Sequence, residues 1–211
     1  MSLLRPDEQA VSGSIRVLGL AGSPRQHGNT ERLLDRFLAG AREAGADVEK
    51  VVVARLDVAA CISCGGCAKQ GACVVQDGFQ RVNEALVASD VIVLAAPLFF
   101  WNVPAQVKAL IDRGQSQWAR KFVVRKPLSP TLAGHKRRRG VFICVGADPR
   151  RYFKGAVWTV RSFFRVYEAD YWGKLFYTEM EGKQDIENHP TAMQEAYDLG
   201  RRAVQDAWDG G

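Results

Sequence analysis

Residues 17–30, which read VLGLAGSPRQHGNT, constrain the fold more than any other stretch of this chain. A short apolar strand runs into a loop of Gly, Ser, Pro and Arg, and the loop opens a helix. Leu33, Leu34, Phe37, Leu38 and Ala41 follow at helical spacing, so the helix begins near Asn29 or Thr30. A helix N-terminus carries unpaired N–H groups and the positive end of the dipole, which favours a phosphate. Ser23 adds a hydroxyl, Arg25 a guanidinium, and Asn29 and Thr30 polar side chains. The expected guest is a phosphomonoester. No Gly-Lys-Ser/Thr ends the loop, so it is not a Walker loop, and it lacks the Gly-x-Gly-x-x-Gly of dinucleotide folds. Turns of this kind favour Gly, Ser and Asn in any α/β protein, but a turn alone does not require Arg25 beside Ser23-Pro24.

Strand and helix patterns alternate along the rest of the chain. Strands are expected at Ile15–Leu20, Val48–Leu56, Val91–Ala95, Val141–Val145 and around Leu175–Tyr177. Helices are expected at Asn29–Glu43, near Phe79–Val87, and after Pro104, whose missing N–H is harmless in a first turn. Val157, Val160, Phe163, Phe164 and Tyr167 mark a further helix, and Met193, Ala196, Tyr197, Gly200, Ala203 and Val204 stripe the last. Five apolar strands alternating with helices call for a parallel sheet covered on both faces. The chain of 211 residues is long enough for one well-buried domain, assigned to residues 15–208, behind a flexible N-terminal arm at 1–14. Gln115–Arg139 reads as one long irregular stretch. The arm is polar rather than a signal peptide, and no apolar run is long enough for a membrane span. The expectation is a cytoplasmic protein with no membrane partner. The net charge of +6 owes much to Lys136-Arg137-Arg138-Arg139. That run could meet nucleic acid or a 2′-phosphate, but without an aromatic ladder it reads as a solvated loop edge, and no nucleic-acid partner is expected.

In such a sheet, ligands bind beyond the carboxyl ends of the strands. The loop after the third strand runs Pro97, Leu98, Phe99, Phe100, Trp101, Asn102, Val103, Pro104. Three adjacent aromatics there suit a planar heteroaromatic ring, or else an interface between copies of the chain. Gly146, after the fourth strand, would allow close approach to the same ring. These residues resemble a known family. Gly22-Ser23-Pro24-Arg25 with Gly28-Asn29-Thr30, the segment from Pro97 through Pro104-Ala105-Gln106 and Lys108 to Ile111-Asp112-Arg113, and the close from Gly182 to Gly200 look like NADPH-dependent FMN reductases of the flavodoxin-like superfamily. The resemblance implies a three-layer α/β sandwich whose five-stranded parallel sheet has the order 2-1-3-4-5. It implies FMN, with Ser23, Arg25, Asn29 and Thr30 around its phosphate and Pro97 to Val103 along its ring. It implies NADPH or NADH as reductant, a flavin, quinone, other small molecule or redox protein as acceptor, and a homodimer or homotetramer. Phe99 stands where relatives often carry Tyr, and Trp101 where many carry Gly. Asp112 and Arg113 match the family pattern, and a helix-end ion pair explains them. No general acid or base is assigned, because the flavin carries its own chemistry.

Cys61, Cys64, Cys67 and Cys73 give the spacing C-x2-C-x2-C-x5-C. Four thiols this close can converge on one cluster, and Gly65, Gly66 and Gly71 permit the turns required. The spacing resembles the iron–sulfur flavoproteins, a branch of the same superfamily in which a 4Fe-4S cluster exchanges electrons with FMN. Such a chain would be an electron carrier between FMN, the cluster and a partner protein. Zinc and free thiols remain as alternatives. Cys144, inside the fourth strand, reads as a core residue, and His27, His135 and His189 form no metal pattern.

Overall fold

The structure, a computed structural model, describes residues 14–128, 138–147 and 149–208. The arm expected over 1–14 therefore lies outside the described residues except for Ser14, as do His135, Lys136 and Arg137.

Strands β1 (Arg16–Ala21), β2 (Asp47–Val52), β3 (Val91–Pro97), β4 (Arg138–Val145) and β5 (Ala169–Tyr177) form one sheet. Its order is β2-β1-β3-β4-β5, with every neighbouring pair parallel. This is the order and class that the resemblance implies. The two-residue period of each strand divides its side chains between two cores. Leu18, Leu20, Ile92, Leu94, Phe142 and Cys144 face one layer. That layer comprises α3 (Phe79–Ala88), α4 (Ala105–Arg113) and α6 (Lys154–Val166). Val17, Ala21, Val93, Ala95, Val141 and Ile143 face the other layer, made by α1 (Asn29–Glu43) and α7 (Ala192–Trp208). Burying each Val, Leu or Ile of the fully covered β3 contributes about 1.5–3 kcal/mol. On the second face α1 and α7 cross at two glycines. A Cβ on Gly40 would lie 2.1 Å from the Tyr197 carbonyl oxygen, and one on Gly200 2.0 Å from that of Phe37. Only glycine lets the backbones approach this closely.

Several boundaries differ from the sequence expectation. β2 stops at Val52 because Val53–Arg55 turns as a short 3-10 segment that buries Val53. The stretch from Gln115 is not irregular at first, since α5 (Gln115–Phe122) follows α4 directly. Its buried residues are Ser116, Gln117 and Ala119, while Trp118 and Phe122 are exposed, so no apolar stripe announces the helix. β4 begins at Arg138, earlier than Val141. Arg138 is buried rather than at a solvated edge, donating to the carbonyls of Tyr167 and Val87. Arg139 lies in the strand with its guanidinium over Trp172. Cys144 is buried in the core, and that burial pushes its thiol well up.

Candidate functional site

Two cavities lie beside loops that leave the carboxyl ends of the strands. The first begins where β1 hands over to α1. Gly22 N–H donates to the Ala95 carbonyl at 2.7 Å, and a Cβ on Gly22 would fall 2.6 Å from Val107 Cγ2. Ser23 Oγ accepts from Arg25 N–H at 3.1 Å and donates to its carbonyl at 3.2 Å, closing a turn within the loop. His27 sits at a positive φ of 52°. Its N–H donates to Glu31 Oε2 at 2.6 Å, and Lys50 Nζ holds Glu31 Oε1 at 2.8 Å and Asp35 at 2.7 Å. Burial works to raise the Glu31 pKa, but Lys50 and the His27 N–H outweigh it and hold the carboxyl below its ordinary value. Residue Gly28 is the N-cap of α1, and no side chain caps the helix. Its first-turn donors are thus left for a ligand.

Around that helix end, Ser23, Arg25, Asn29, Thr30, Pro97, Leu98, Phe99 and Gly146 line one cavity of about 420 Å³. Its size falls in the ordinary range for cofactor sites. Pro24, Gly28, Val145, Ala147, Met180 and Glu181 complete the wall. Met180 and Glu181 follow β5, so the rule of strand ends that located the other loops also reaches them. Asn29 does a second job: its Nδ2 donates to the Gly182 carbonyl at 2.7 Å and its Oδ1 accepts from Ile186 N–H at 3.3 Å. The Asn29 amide therefore ties the post-β5 loop to α1.

The remaining candidates stand away from the cavity. Phe99 and Asn102 exchange backbone hydrogen bonds of 2.8 and 2.9 Å around a two-residue turn. The turn residues, Phe100 and Trp101, both have positive φ, 46° and 58°. Left-handed backbone favours glycine, so both side chains are held there at a conformational cost. The Phe100 ring is fully exposed, and Trp101 stacks on Tyr152 with centroids 4.5 Å apart. Asn102 Oδ1 accepts from Val103 N–H, and Val103 is buried in the core.

The second cavity holds the cysteines. Cys61, Cys64, Cys67 and Cys73 line a void of about 160 Å³ with Arg113, Ser116, Trp118 and Val123. Left-handed backbone at Ser63, Gly65 and Gly71 folds the loop back, and α2 (Cys67–Gln70) supplies one turn of helix within it. Burial, and behind it the other three thiols, push the Cys67 thiol up. Among the described residues no three His, Cys, Asp or Glu side chains are gathered closely enough to hold a metal ion. The four cysteines instead share the wall of one void with Trp118, Ala119 and Val123. Arg113 closes the loop from behind. Its guanidinium is buried, paired with Asp77 at 2.6 and 3.1 Å, and bonded to the carbonyls of Ala59 and Val75 on either side of the cysteines. Asp77 also accepts the Ala59 and Phe79 N–H groups. Burial raises its pKa, but these donors prevail and keep it below its ordinary value. Asp112 pairs with Lys108 one turn back, so it and Arg113 face different partners.

The three-layer sandwich, the 2-1-3-4-5 sheet and the uncapped helix beside the first strand define a flavodoxin-like protein. A family model for NADPH-dependent FMN reductase matches residues 15–147, and the chain belongs to that family. It is similar to an iron–sulfur flavoprotein of Methanosarcina thermophila, 33% identical over 126 residues that cover 60% of this chain and 66% of that one. An iron–sulfur flavoprotein of Archaeoglobus fulgidus is 36% identical over 99 residues, so the chain spans less than half, 45%, of that relative. One from Methanocaldococcus jannaschii is 26% identical over 200 residues, 90% of this chain and 96% of the relative. Among solved structures, a flavone reductase superposes with a TM-score of 0.65 at 16% identity, covering 92% of this chain and 64% of that one. An NAD(P)H:quinone oxidoreductase from Methanothermobacter marburgensis gives 0.64 at 16% identity over 90% and 96%. At that identity the likeness establishes the fold. No helix among the described residues is long and apolar enough to cross a membrane.

Proposed function

We propose that this chain is an FMN-dependent oxidoreductase that passes electrons between FMN in the rim cavity and a 4Fe-4S cluster held by Cys61, Cys64, Cys67 and Cys73. The observation that carries this reading is the presence, in one fold, of a phosphate-type helix end opening a cavity of about 420 Å³ and four thiols around a second void. The donor sets suit both groups. The Ser23 hydroxyl, the Arg25 guanidinium, Thr30 and the free N–H groups of α1 would hold the phosphate. Pro97, Leu98, Phe99 and the Gly146 backbone would flank the ring. When bound, FMN supplies both hydride and single-electron chemistry, and the cluster supplies single-electron transfer. The protein's part is to bind, orient and insulate, and no side chain is assigned as acid or base.

A second reading has support of its own in the FMN reductase match over residues 15–147. In it, NADPH or NADH reduces the flavin, and a small acceptor such as a quinone or free flavin reoxidises it. Exposed Phe100 and its neighbour Trp101 favour the homodimer or homotetramer implied by the resemblance, which light scattering would reveal.

Anaerobic purification followed by flavin, iron and sulfide analysis tests the first reading. About one FMN, four irons and four sulfides per chain are expected. Cys64→Ser should lose the iron and keep FMN. Arg25→Ala should keep the iron and weaken FMN roughly ten- to 150-fold, the equivalent of one charge-assisted hydrogen bond of about 1.5–3 kcal/mol. No FMN binding at micromolar concentration defeats both readings. Stopped-flow mixing separates them: rapid flavin bleaching by NADH or NADPH in iron-free protein selects the simple reductase.

A further inference from the structure

Arg113 has donors in excess of the oxygens that it meets. It stands at the end of α4 with 2% of its surface exposed, and it lines the cysteine void. The guanidinium carries five N–H groups in a fixed fork. Nη1 donates to Ala59 O at 2.9 Å and Asp77 Oδ2 at 2.6 Å, and Nη2 to Val75 O at 3.0 Å and Asp77 Oδ1 at 3.1 Å. That uses four. The fifth, on Nε, is buried without a partner. Folded proteins seldom leave such a donor unmet unless something else fills the site. The plane of the group is not free to turn, because Asp77 grips it on two atoms and the Phe79 ring lies 4.7 Å beneath it. Cys73 lines the same void as Arg113 and stands two residues before Val75, whose carbonyl Nη2 holds.

We propose that Arg113 is a positioning residue that sets the electron affinity of the cluster, its Nε–H donating to sulfur at or beside Cys73. This rests on the cluster reading above. Hydrogen bonds to cluster sulfurs and nearby charge are two of the factors that fix a cluster's potential. Reduction of a cluster held there would add one electron and break no bond, and Arg113 would keep its proton. The extra negative charge would be spread over the sulfurs, so a sulfur-directed N–H would favour the reduced form, while the Arg113 charge itself is largely offset by Asp77. Lysine would supply the charge without the rigid fork.

The test uses anaerobically purified holoprotein. Arg113→Met combined with Asp77→Asn removes the pair together, so that no carboxylate is left buried alone. The reduced-to-oxidised ratio at a fixed potential should fall at least tenfold, a drop of 59 mV or more for a one-electron couple. Arg113→Lys should fall part of the way. Asp112→Asn, paired outward with Lys108, should not move it. Four irons with an unchanged midpoint in the double variant would overturn the proposal, as would an equal shift in Asp112→Asn. Should the double variant fail to hold the cluster, unaltered protein labelled with 15Nε-arginine decides. A resolved 15N coupling in the electron–nuclear double resonance of the reduced cluster supports the assignment, and its absence overturns it. Unaltered protein without iron sinks the cluster reading first, and this inference with it.

Discussion

Glu31 is the residue on which the shape of the phosphate loop depends, and Glu31→Gln measures how much. The carboxylate is 10% exposed and accepts two charge-assisted bonds, one from His27 N–H and one from Lys50. A glutamine keeps one acceptor for His27, so that bond falls from the charged to the neutral class, a loss of about 1 kcal/mol. The Lys50 contact is lost, but Lys50 is 28% exposed and retains Asp35, so its share is discounted to about 0.5 kcal/mol. The expected destabilisation at pH 7 is therefore about 1–2 kcal/mol, read from urea unfolding monitored by tryptophan fluorescence. The pH dependence has a definite sign. Glu31 titrates below its ordinary 4.5 in the folded chain, so its contribution is present above that value and lost as pH falls through the folded pKa. For Lys50, burial works downward, but its carboxylate partners prevail and hold it above 10.5. Its contribution is complete below 10.5 and disappears as pH rises through its folded value. The gap between parent and variant should form a plateau across neutral pH, close as pH falls below 4.5, and shrink only by the Lys50 share above 10.5. Since His27 carries a left-handed backbone that this bond restrains, FMN affinity should fall along with stability. A gap below 0.3 kcal/mol at pH 7, or one that persists undiminished at pH 3, would refute the reasoning.

Two further substitutions test the backbone. Gly40→Ala and Gly200→Ala each gain helix propensity, about 1 kcal/mol, yet place a methyl 2.1 or 2.0 Å from a backbone oxygen. Overpacking of about 1–3 kcal/mol or more should win, lowering Tm by several degrees in calorimetry; a rise in Tm would show that the α1–α7 crossing yields easily. Phe100→Asn removes a fully exposed ring from a left-handed position. It should raise stability by about 0.5–1 kcal/mol, and a fall would mean that the ring is held by contacts within the chain.

Much of the fold was legible because burial on both faces leaves continuous apolar strands. Ile92, Val93 and Leu94 form a short, β-branched-rich apolar run of strand length, and their neighbours β1 and β4 carry the same signature. The strand order came from the resemblance; periodicity alone says nothing about which strands adjoin. Where polar groups are buried, pattern failed. α5 turns Ser116 and Gln117 inward, and Gln117 Nε2 donates to Asn83 Oδ1, which also accepts the Tyr167 hydroxyl. A hydrogen-bonded helix face of that kind looks like surface in a sequence. Arg138 failed for the same reason, since its partners are carbonyls contributed by residues 51 and 29 positions away.

The candidate site divides along the same physical line. Ser23, Arg25 and Thr30 group in the sequence and line one cavity in the structure because a loop and the helix it opens are contiguous. Asn29 stands in the same stretch but is also spent elsewhere: its amide meets Gly182 and Ile186, over 150 residues away. Phe99, Phe100 and Trp101 read alike in the sequence as aromatics, but the Phe99–Asn102 bonds reverse the chain between them, and of the three Phe99 lines the cavity. Composition cannot encode that reversal, since neither Phe100 nor Trp101 is a residue that a left-handed turn prefers. The cysteine spacing showed which thiols share a loop. It could not show what closes the loop, because Arg113 is 36 residues from Asp77 and 54 from Ala59. Both ends of the cysteine segment are thus fixed by one side chain on a core helix. The loop therefore presents its exposed thiols, Cys61 and Cys64, without depending on them for its fold.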